Sequence, residues 1–419
     1  MENKSKTLGK YSFGVGDRFS HQAQAQLSAF QKAKEQGVQI TPVWNKSYRE
    51  HQIISSNPRE TRRQADLAIE KLRWDTPYFV DADHVTFDSV DFFLDSSDFF
   101  TLDVADYIGK STLDENIHSF VEKHQRYVGE MEIPGISEKF IVDIKRLEQI
   151  GQSYLKAVEE AGRTYRKIQA SKGSDQFVVE VSMDETDKPQ TPLEIFFILS
   201  GLAGENIPVD TLAPKFSGRF NKGVDYVGDL DLFRKEFEQD LAVIQYAIKE
   251  FSLPEGLKLS VHSGSDKFSL YPIIKEVIQS NNAGLHIKTA GTTWLEELIG
   301  LALAGGEGME IAQKIYHESV QRFDELCGPY ASVIDINKQN LPSEEVVNSW
   351  DGESFVRALR HDQSCQDYNP DLRQLLHVGY KVAAEMKDQY YPALEKYADT
   401  IAEQVSENIY DRHMKPLFL

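Results

Sequence analysis

Phe79-Val80-Asp81-Ala82-Asp83-His84 reads as an apolar strand that stops abruptly in two carboxylates and a histidine. Side chains alternate along a strand, so Asp81 and Asp83 share one face and His84 is expected on the other until the strand ends. A core strand gains nothing from such residues, because unpaired buried carboxylates are costly. A carboxylate beside an imidazole is instead what metal-assisted proton transfer uses. The same pattern, an apolar strand closed by a polar end, recurs along the chain, and that recurrence decides the fold.

Eight short segments read as strands, at 10–15, 39–46, 77–83, 98–104, 176–182, 207–213, 257–263 and 284–290. Helical patterns lie between them, clearest at 20–36, 58–73, 192–203, 229–251 and 268–280. Pro58 and Pro192 suit first helical turns, and Gly37 suits a C-terminal stop. Strands alternating with helices imply parallel pairing. Eight such units predict an α/β fold, a (β/α)8 barrel of the TIM type, in preference to a doubly wound open sheet. Two regions exceed the barrel. Residues 112–170 follow the fourth strand as an insertion expected to be helical, with Phe140-Ile141-Val142-Asp143-Ile144 on one of its helices. Residues 307–419 read as a helical C-terminal extension packed on a catalytic barrel spanning 1–306, and their helical faces could equally serve a homo-oligomer interface.

Lys and Arg number 46 against 66 Asp and Glu, a formal charge of −20. That balance argues against nucleic-acid or acidic-membrane surfaces, and requires any site for an acidic sugar to concentrate its cations locally. The two cysteines, Cys327 and Cys365, fit a reducing cytoplasm better than a disulfide framework. The start, Met1–Lys6, lacks the apolar core of a signal peptide, and no apolar run approaches the ~18 residues of a membrane span. A cytoplasmic protein is expected.

In a barrel, the loops after the strands gather at one rim, where catalysis is located. Here the strands end in Gly16-Asp17-Arg18, in Ser47-Tyr48-Arg49-Glu50, in Asp83-His84 and in Asp103. The later ones end in Met183-Asp184-Glu185, in a loop holding Lys215, Arg219 and Asp225, in His262-Ser263-Gly264-Ser265-Asp266-Lys267 and in His286-Ile287-Lys288-Thr289. Three histidines, His84, His262 and His286, fall at strand ends, where neutral imidazoles from different strands can converge on a divalent ion. Glu185 or Asp184 could complete that shell or act as acid and base. Arg18, Arg49 and Arg219 are candidates for a carboxylate clamp. Ser263-Gly264-Ser265 and the turn after Thr289 could bring backbone amides to an anion. His377, in the extension, could reach the site. No Gly-x-Gly-x-x-Gly or P-loop follows a strand, which speaks against nucleotide binding.

At these motifs the chain resembles the tagaturonate epimerase family, bacterial enzymes that interconvert tagaturonate and fructuronate. The matching stretches are Phe13–Arg18, Ser47–Glu50, Asp81–His84, Met183–Glu185, His262–Phe268, His286–Thr292 and the ending Asn408–Leu417, recurring in order. The segment before the first strand is shorter than in the family members known to us. The resemblance implies a metal-dependent barrel in which His84, His262 and His286 hold the divalent ion (zinc, manganese, nickel, cobalt or iron). It implies Asp83 and Glu185 as general base and acid. The substrate-binding set is then expected among Asp17, Arg18, Arg49, Lys215, Arg219, Ser263, Asp266, Lys267, Lys288 and Thr289.

The two uronates differ at a carbinol carbon β to the ketone, whose C–H that carbonyl does not acidify. Retro-aldol cleavage, rotation of the aldehyde and re-addition would invert it, with a metal polarising the ketone. Three other readings use the same residues. Lys288 could be a Schiff-base nucleophile of an aldolase. An aldose–ketose isomerase would need almost the same rim. A non-enzymatic sugar-acid-binding barrel would bind without turnover.

Overall fold

A computed structural model describes residues 7–174, 176–289 and 291–419. The N-terminal stretch Met1–Lys6 and Ala290, the last residue of the strand predicted at 284–290, lie outside them. The eight barrel strands form where the sequence predicts them. They are β1 (Tyr11–Gly16), β2 (Ile40–Ser47), β3 (Phe79–Val85), β4 (Phe99–Asp103), β7 (Val178–Ser182), β8 (Thr211–Ala213), β9 (Lys258–Val261) and β10 (Leu285–Thr289). All pair in parallel and close in the order β1-β10-β9-β8-β7-β4-β3-β2. The remaining strands, β5 (Gly129–Met131) and β6 (Phe140–Val142), make a separate antiparallel pair within the insertion.

The crossover helices start where the local chemistry directs. Asn57 caps the helix Pro58–Leu72, and Thr191 with Glu194 forms a capping box for Pro192–Gly204, each with proline at a position that needs no donor. Gly37, at φ +85°, takes the left-handed turn that ends the first helix region. Between β3 and β4 the connection carries a 3-10 turn, Val90–Phe92, in place of a crossover helix, and its Thr86, Asp88 and Ser89 line the rim cavity.

The insertion departs from the helix that the sequence predicts at Phe140–Ile144. Phe140–Val142 is strand β6, and Asp143 accepts a hydrogen bond from the Arg146 amide at 2.6 Å, capping a helix that runs Ile144–Lys172. The β-branched pair Ile141-Val142 suits a pleated edge, and a capping aspartate cannot lie inside the helix that it caps. The helix Ile144–Lys172 itself packs against β4 and Pro192–Gly204, as a crossover helix does.

Two cores result. Val43, Phe79, Phe99 and Val178 fill the barrel floor, with Leu8 packed below them. A larger apolar cluster lies between the strands and the outer helices and continues into the extension. There the helix Ala398–Glu407 lies on Thr292–Ala304 and Ala23–Glu35. The approach is close enough that a Cβ on Gly300 would sit 2.6 Å from Ile401 Cγ1. Among the described residues, no helix is long and apolar enough to cross a membrane.

Candidate active site

Above the apolar floor the barrel interior turns polar. Two residues up from Phe79, Phe99 and Val178, the inward positions are Asp81, Thr101 and Glu180, all buried. Lys288 reaches into this layer from β10. Its ammonium lies 2.7 Å from Asp81 Oδ2, 2.8 Å from Asp83 Oδ1 and 2.9 Å from Glu180 Oε1, and it also donates to Thr101. Thr101 in turn donates to Asp81 at 3.0 Å, and Thr211 donates to Glu180 Oε2 at 2.7 Å.

The next layer is the rim. The β3–β4 register shifts between Ala82 and Val85, and His84 takes a left-handed φ of +52°. This bulge cancels the alternation expected of a regular strand, so consecutive residues meet: His84 Nδ1 lies 2.9 Å from Asp83 Oδ1. A bulky residue held at positive φ is strained, and such strain clusters where a side chain must be aimed. From β9, His262 Nε2 lies 2.6 Å from Glu180 Oε1, and its Nδ1 lies 3.1 Å from Asp184 Oδ1. Asp184 also lies 3.4 Å from His84 Nε2 and accepts from Ser182 at 2.5 Å.

His84, Asp184 and His262 are therefore a group whose ligand atoms all lie within 4.8 Å of one another. His286 does not join them. It sits deeper in the barrel, fully buried, with Nδ1 2.8 Å from Ser12 Oγ and its ring 5.3 Å from Phe99. Its Nε2 has no hydrogen-bond partner among the described residues.

The electrostatics follow from crowding. Burial alone would lower the two rim imidazoles, but carboxylates outweigh it. Asp83 and Asp184 hold His84 well above the usual histidine range, and Asp184 with Glu180 pushes His262 up to about 9. Burial would raise Glu180, yet Lys288 and His262 hold it well below the carboxylate range. Asp81 goes the other way: burial, with Asp83 and Glu180 beside it, pushes it up to about 7 despite Lys288. Asp83 and Glu180 share Lys288 with the His84 and His262 imidazoles, and the crowding is felt most at Asp81, which lacks that second cation. For His286 burial outweighs the pull of Glu180 and, with Lys288 beside it, lowers it to about 3.

This set fits a divalent cation. Two imidazoles and a carboxylate are ordinary ligands for such an ion. A charge of +2 in place of two imidazolium protons also leaves the local charge sum unchanged, with those protons released on binding.

The group opens into a cavity of about 530 Å³ at the C-terminal rim, lined also by Arg18, Arg49, Asp83, Glu185, Lys222, Ser263, Lys288 and Tyr330. A second cavity of about 420 Å³ adjoins it, sharing Arg49, Glu185, Lys222, His262 and Tyr330 and adding Lys215 and Arg219. Tyr330 comes from the C-terminal extension, which thus helps to wall the site.

Several predicted substrate contacts have other occupations. Asp17 accepts the Gln22 amide at 2.8 Å at the start of the first helix. Arg18 pairs with Glu50 at 3.0 Å, donates to the His377 carbonyl at 2.9 Å and stacks on Tyr380. His377 contributes that carbonyl and is itself buried. Arg219 pairs with Asp335 at 2.8 Å. Asp266 pairs with Arg373 of the extension at 3.0 Å. Lys267 donates to the carbonyls of Asn221, Val224 and Ser265 at 2.8, 2.7 and 3.0 Å. Thr289 donates to the Gly14 carbonyl at 2.7 Å.

Glu180 falls in the polar end of the fifth barrel strand but has no role legible there, and Lys222 and Tyr330 carry no sequence signal. A lone charge inside Phe177-Val178-Val179-Glu180-Val181 marks Glu180 as it marks Asp81 in its own strand.

A family model of tagaturonate epimerases (UxaE) matches residues 2–417. The chain belongs to the tagaturonate epimerase family. A relative, the tagaturonate/fructuronate epimerase of Thermotoga maritima, is 29% identical over 419 residues, covering 96% of this chain and 80% of its own. Two crystal structures of fructuronate-tagaturonate epimerase from Cohnella laeviribosi share the fold. The one with one glycerol superposes with a TM-score of 0.79 at 22% identity, covering 99% of this chain and 82% of that one. The native form gives 0.77 at 23%, covering 97% and 81%. The family is one of epimerases, which places the rim cluster in an isomerase.

Proposed function

We propose that the protein interconverts D-tagaturonate and D-fructuronate with a divalent metal ion, in the cytoplasm, by retro-aldol and aldol steps. The observation that carries this reading is the convergence of His84, Asp184 and His262 beside Asp83 and Lys288, on an open cavity, in a chain of this family. The two unpaired cysteines, Cys327 and Cys365, suit the compartment. His84, Asp184 and His262 would hold the ion, which when bound supplies Lewis-acid polarisation of the substrate ketone.

The protein's own groups divide the remaining work. A carboxylate takes the proton of the C4 hydroxyl as the C3–C4 bond breaks. The electron pair passes to the ketone, giving an enediolate and an aldehyde that carries the carboxylate. A half-turn of the aldehyde and re-addition form the C4 epimer, and the alkoxide regains its proton. Asp83 lines the cavity and is held ionised, burial notwithstanding, by His84 and Lys288. Glu185, at the cavity mouth, makes no hydrogen bond or ion pair with any described residue, so it is free to carry a proton. We assign the two proton transfers to this pair.

The Schiff-base alternative fits the geometry poorly. A lysine attacks a carbonyl only as the free amine, whereas Asp81, Asp83 and Glu180 overcome burial to hold Lys288 well above its ordinary value. Lys288 serves better as the counter-ion that fixes the carboxylate layer. NMR of purified protein incubated with a panel of ketohexuronates, ketohexoses and their phosphates, each with added divalent metals, tests the reading. Inversion at C4 of the uronates is expected. Turnover confined to phosphates, or exchange of solvent deuterium α to the carbonyl without C4 inversion, would overturn it.

A further inference from the structure

The cavity lining carries both signs: Glu50, Asp83, Asp88, Asp103, Asp184 and Glu185, and, besides the carboxylate-bound Lys288, three cations, Arg18, Arg49 and Lys222. A sugar acid entering a protein of formal charge −20 is repelled by most of the surface, so its carboxylate must seat on local cations. The three cations are not equivalent. Arg18 is already committed to Glu50, to a main-chain carbonyl and to the face of Tyr380. The side chains of Arg49 and Lys222 make no ion pair or hydrogen bond with any described residue. Both lie against one ring: Arg49 Cζ is 6.0 Å and Lys222 Nζ 5.9 Å from the Tyr330 centroid.

That ring is fixed in place. Tyr330 is 7% exposed, and its hydroxyl lies 2.8 Å from that of Tyr380. Lys222 is half-buried, and its own amide donates to the Val333 carbonyl at 2.9 Å, pinning the loop after β8 to the extension. No carboxylate pairs with it directly among the described residues: burial and the nearby Arg18 lower its pKa more than Glu50, Glu185 and Asp184 raise it, and a carboxylate bound against it would raise it further. Lys215 lines only the adjoining cavity, away from Asp83 and Lys288.

We propose that Lys222 and Arg49, held against Tyr330, form the seat for the substrate carboxylate and select uronates over neutral ketohexoses. This rests on the epimerase reading above. The seat orients the sugar with its carboxylate end at the extension and its ketone and C4 hydroxyl toward His84, Asp184 and His262. The extension thereby acts as a specificity element, because it supplies the ring that places both cations.

The test is steady-state kinetics of Lys222→Met, Lys222→Arg and Arg49→Gln with D-tagaturonate, with D-tagatose as a competing ligand that lacks the carboxylate. The Lys222 side chain bonds no described residue, so its removal strands no buried partner among them. Arg49 is exposed, so its variant keeps the fold in any case. Loss of one charge-assisted contact raises KM for tagaturonate roughly 10- to 100-fold with kcat little changed, because uniform binding is removed. Lys222→Arg restores most of it, and the inhibition constant of D-tagatose stays the same. An unchanged KM in both Lys222→Met and Arg49→Gln, or an equal weakening of D-tagatose, would overturn the seat. A wild-type enzyme that converts no ketohexuronate would instead overturn the epimerase reading, and the seat with it.

Discussion

Arg373 offers the most quantitative test of how the extension supports the site. Its guanidinium is fully buried and donates to three groups: Asp266 Oδ2 at 3.0 Å, the Gly223 carbonyl at 2.6 Å and the Leu359 carbonyl at 2.9 Å. Asp266 follows His262 in the β9 loop, and Gly223 follows Lys222. One side chain thus ties the extension to both loops. Arg373→Met strands a buried carboxylate, and breaking a buried ion pair by removing one partner costs about 3–5 kcal/mol. With an unfolding entropy of ~2.1 cal/mol/K per residue, a 419-residue chain loses roughly 4–5 °C in Tm for about 4 kcal/mol. Adding Asp266→Asn removes the stranded charge and recovers roughly 1–3 kcal/mol of that loss as pair coupling. Differential scanning calorimetry of the two singles and the double mutant gives all the terms. The reasoning fails if Arg373→Met melts within a degree of wild type, or if the double mutant is no more stable than Arg373→Met alone.

Two further outcomes follow from buried charges. Borohydride added during turnover leaves no substrate covalently attached to Lys288, because its three carboxylate neighbours keep it an ammonium; a mass adduct on Lys288 would restore the Schiff-base route. Glu297 is buried, with Gln22 and Tyr390 as hydrogen-bond donors, and burial pushes its pKa from 4.5 to about 8. The folded state therefore holds a proton that the unfolded chain releases, so this group costs stability progressively from about pH 4.5 up to about 8, on the order of 4–5 kcal/mol in all. Glu297→Gln should flatten that fall; denaturation midpoints of the variant that drop with pH as steeply as those of wild type would refute it.

The fold was legible because hydrophobic periodicity and strand-end polarity are local signals. All eight barrel strands and the five clearest helices came from them. What escaped depends on relations between distant segments. His286 and Lys288 share an inward face by their period-two spacing, but which of them reaches the rim depends on the stagger between strands, which no single strand encodes. Lys288 ends within the carboxylate layer and His286 below it. The turn of His84 toward Asp83 required a bulge at a non-glycine residue, which nothing in Asp83-His84-Val85 announces. Asp266 and Lys267 were legible as polar loop residues, but their roles are set by Arg373 more than a hundred positions away and by main-chain carbonyls of the β8 loop. Lys222 carries no motif at all, and it stands out only once the fold brings it to Tyr330.

The central claim is that His84, Asp184 and His262 hold the metal on which epimerisation depends, with His286 a buried structural histidine. Its most direct test is metal content by mass spectrometry, measured with C4 epimerisation of D-tagaturonate by NMR, for His84→Ala, Asp184→Ala, His262→Ala and His286→Gln. The account predicts that the first three lose both the bound metal and the epimerisation, while folded His286→Gln keeps its metal. Full metal occupancy and turnover in His262→Ala, or loss of the metal in a folded His286→Gln, would contradict it.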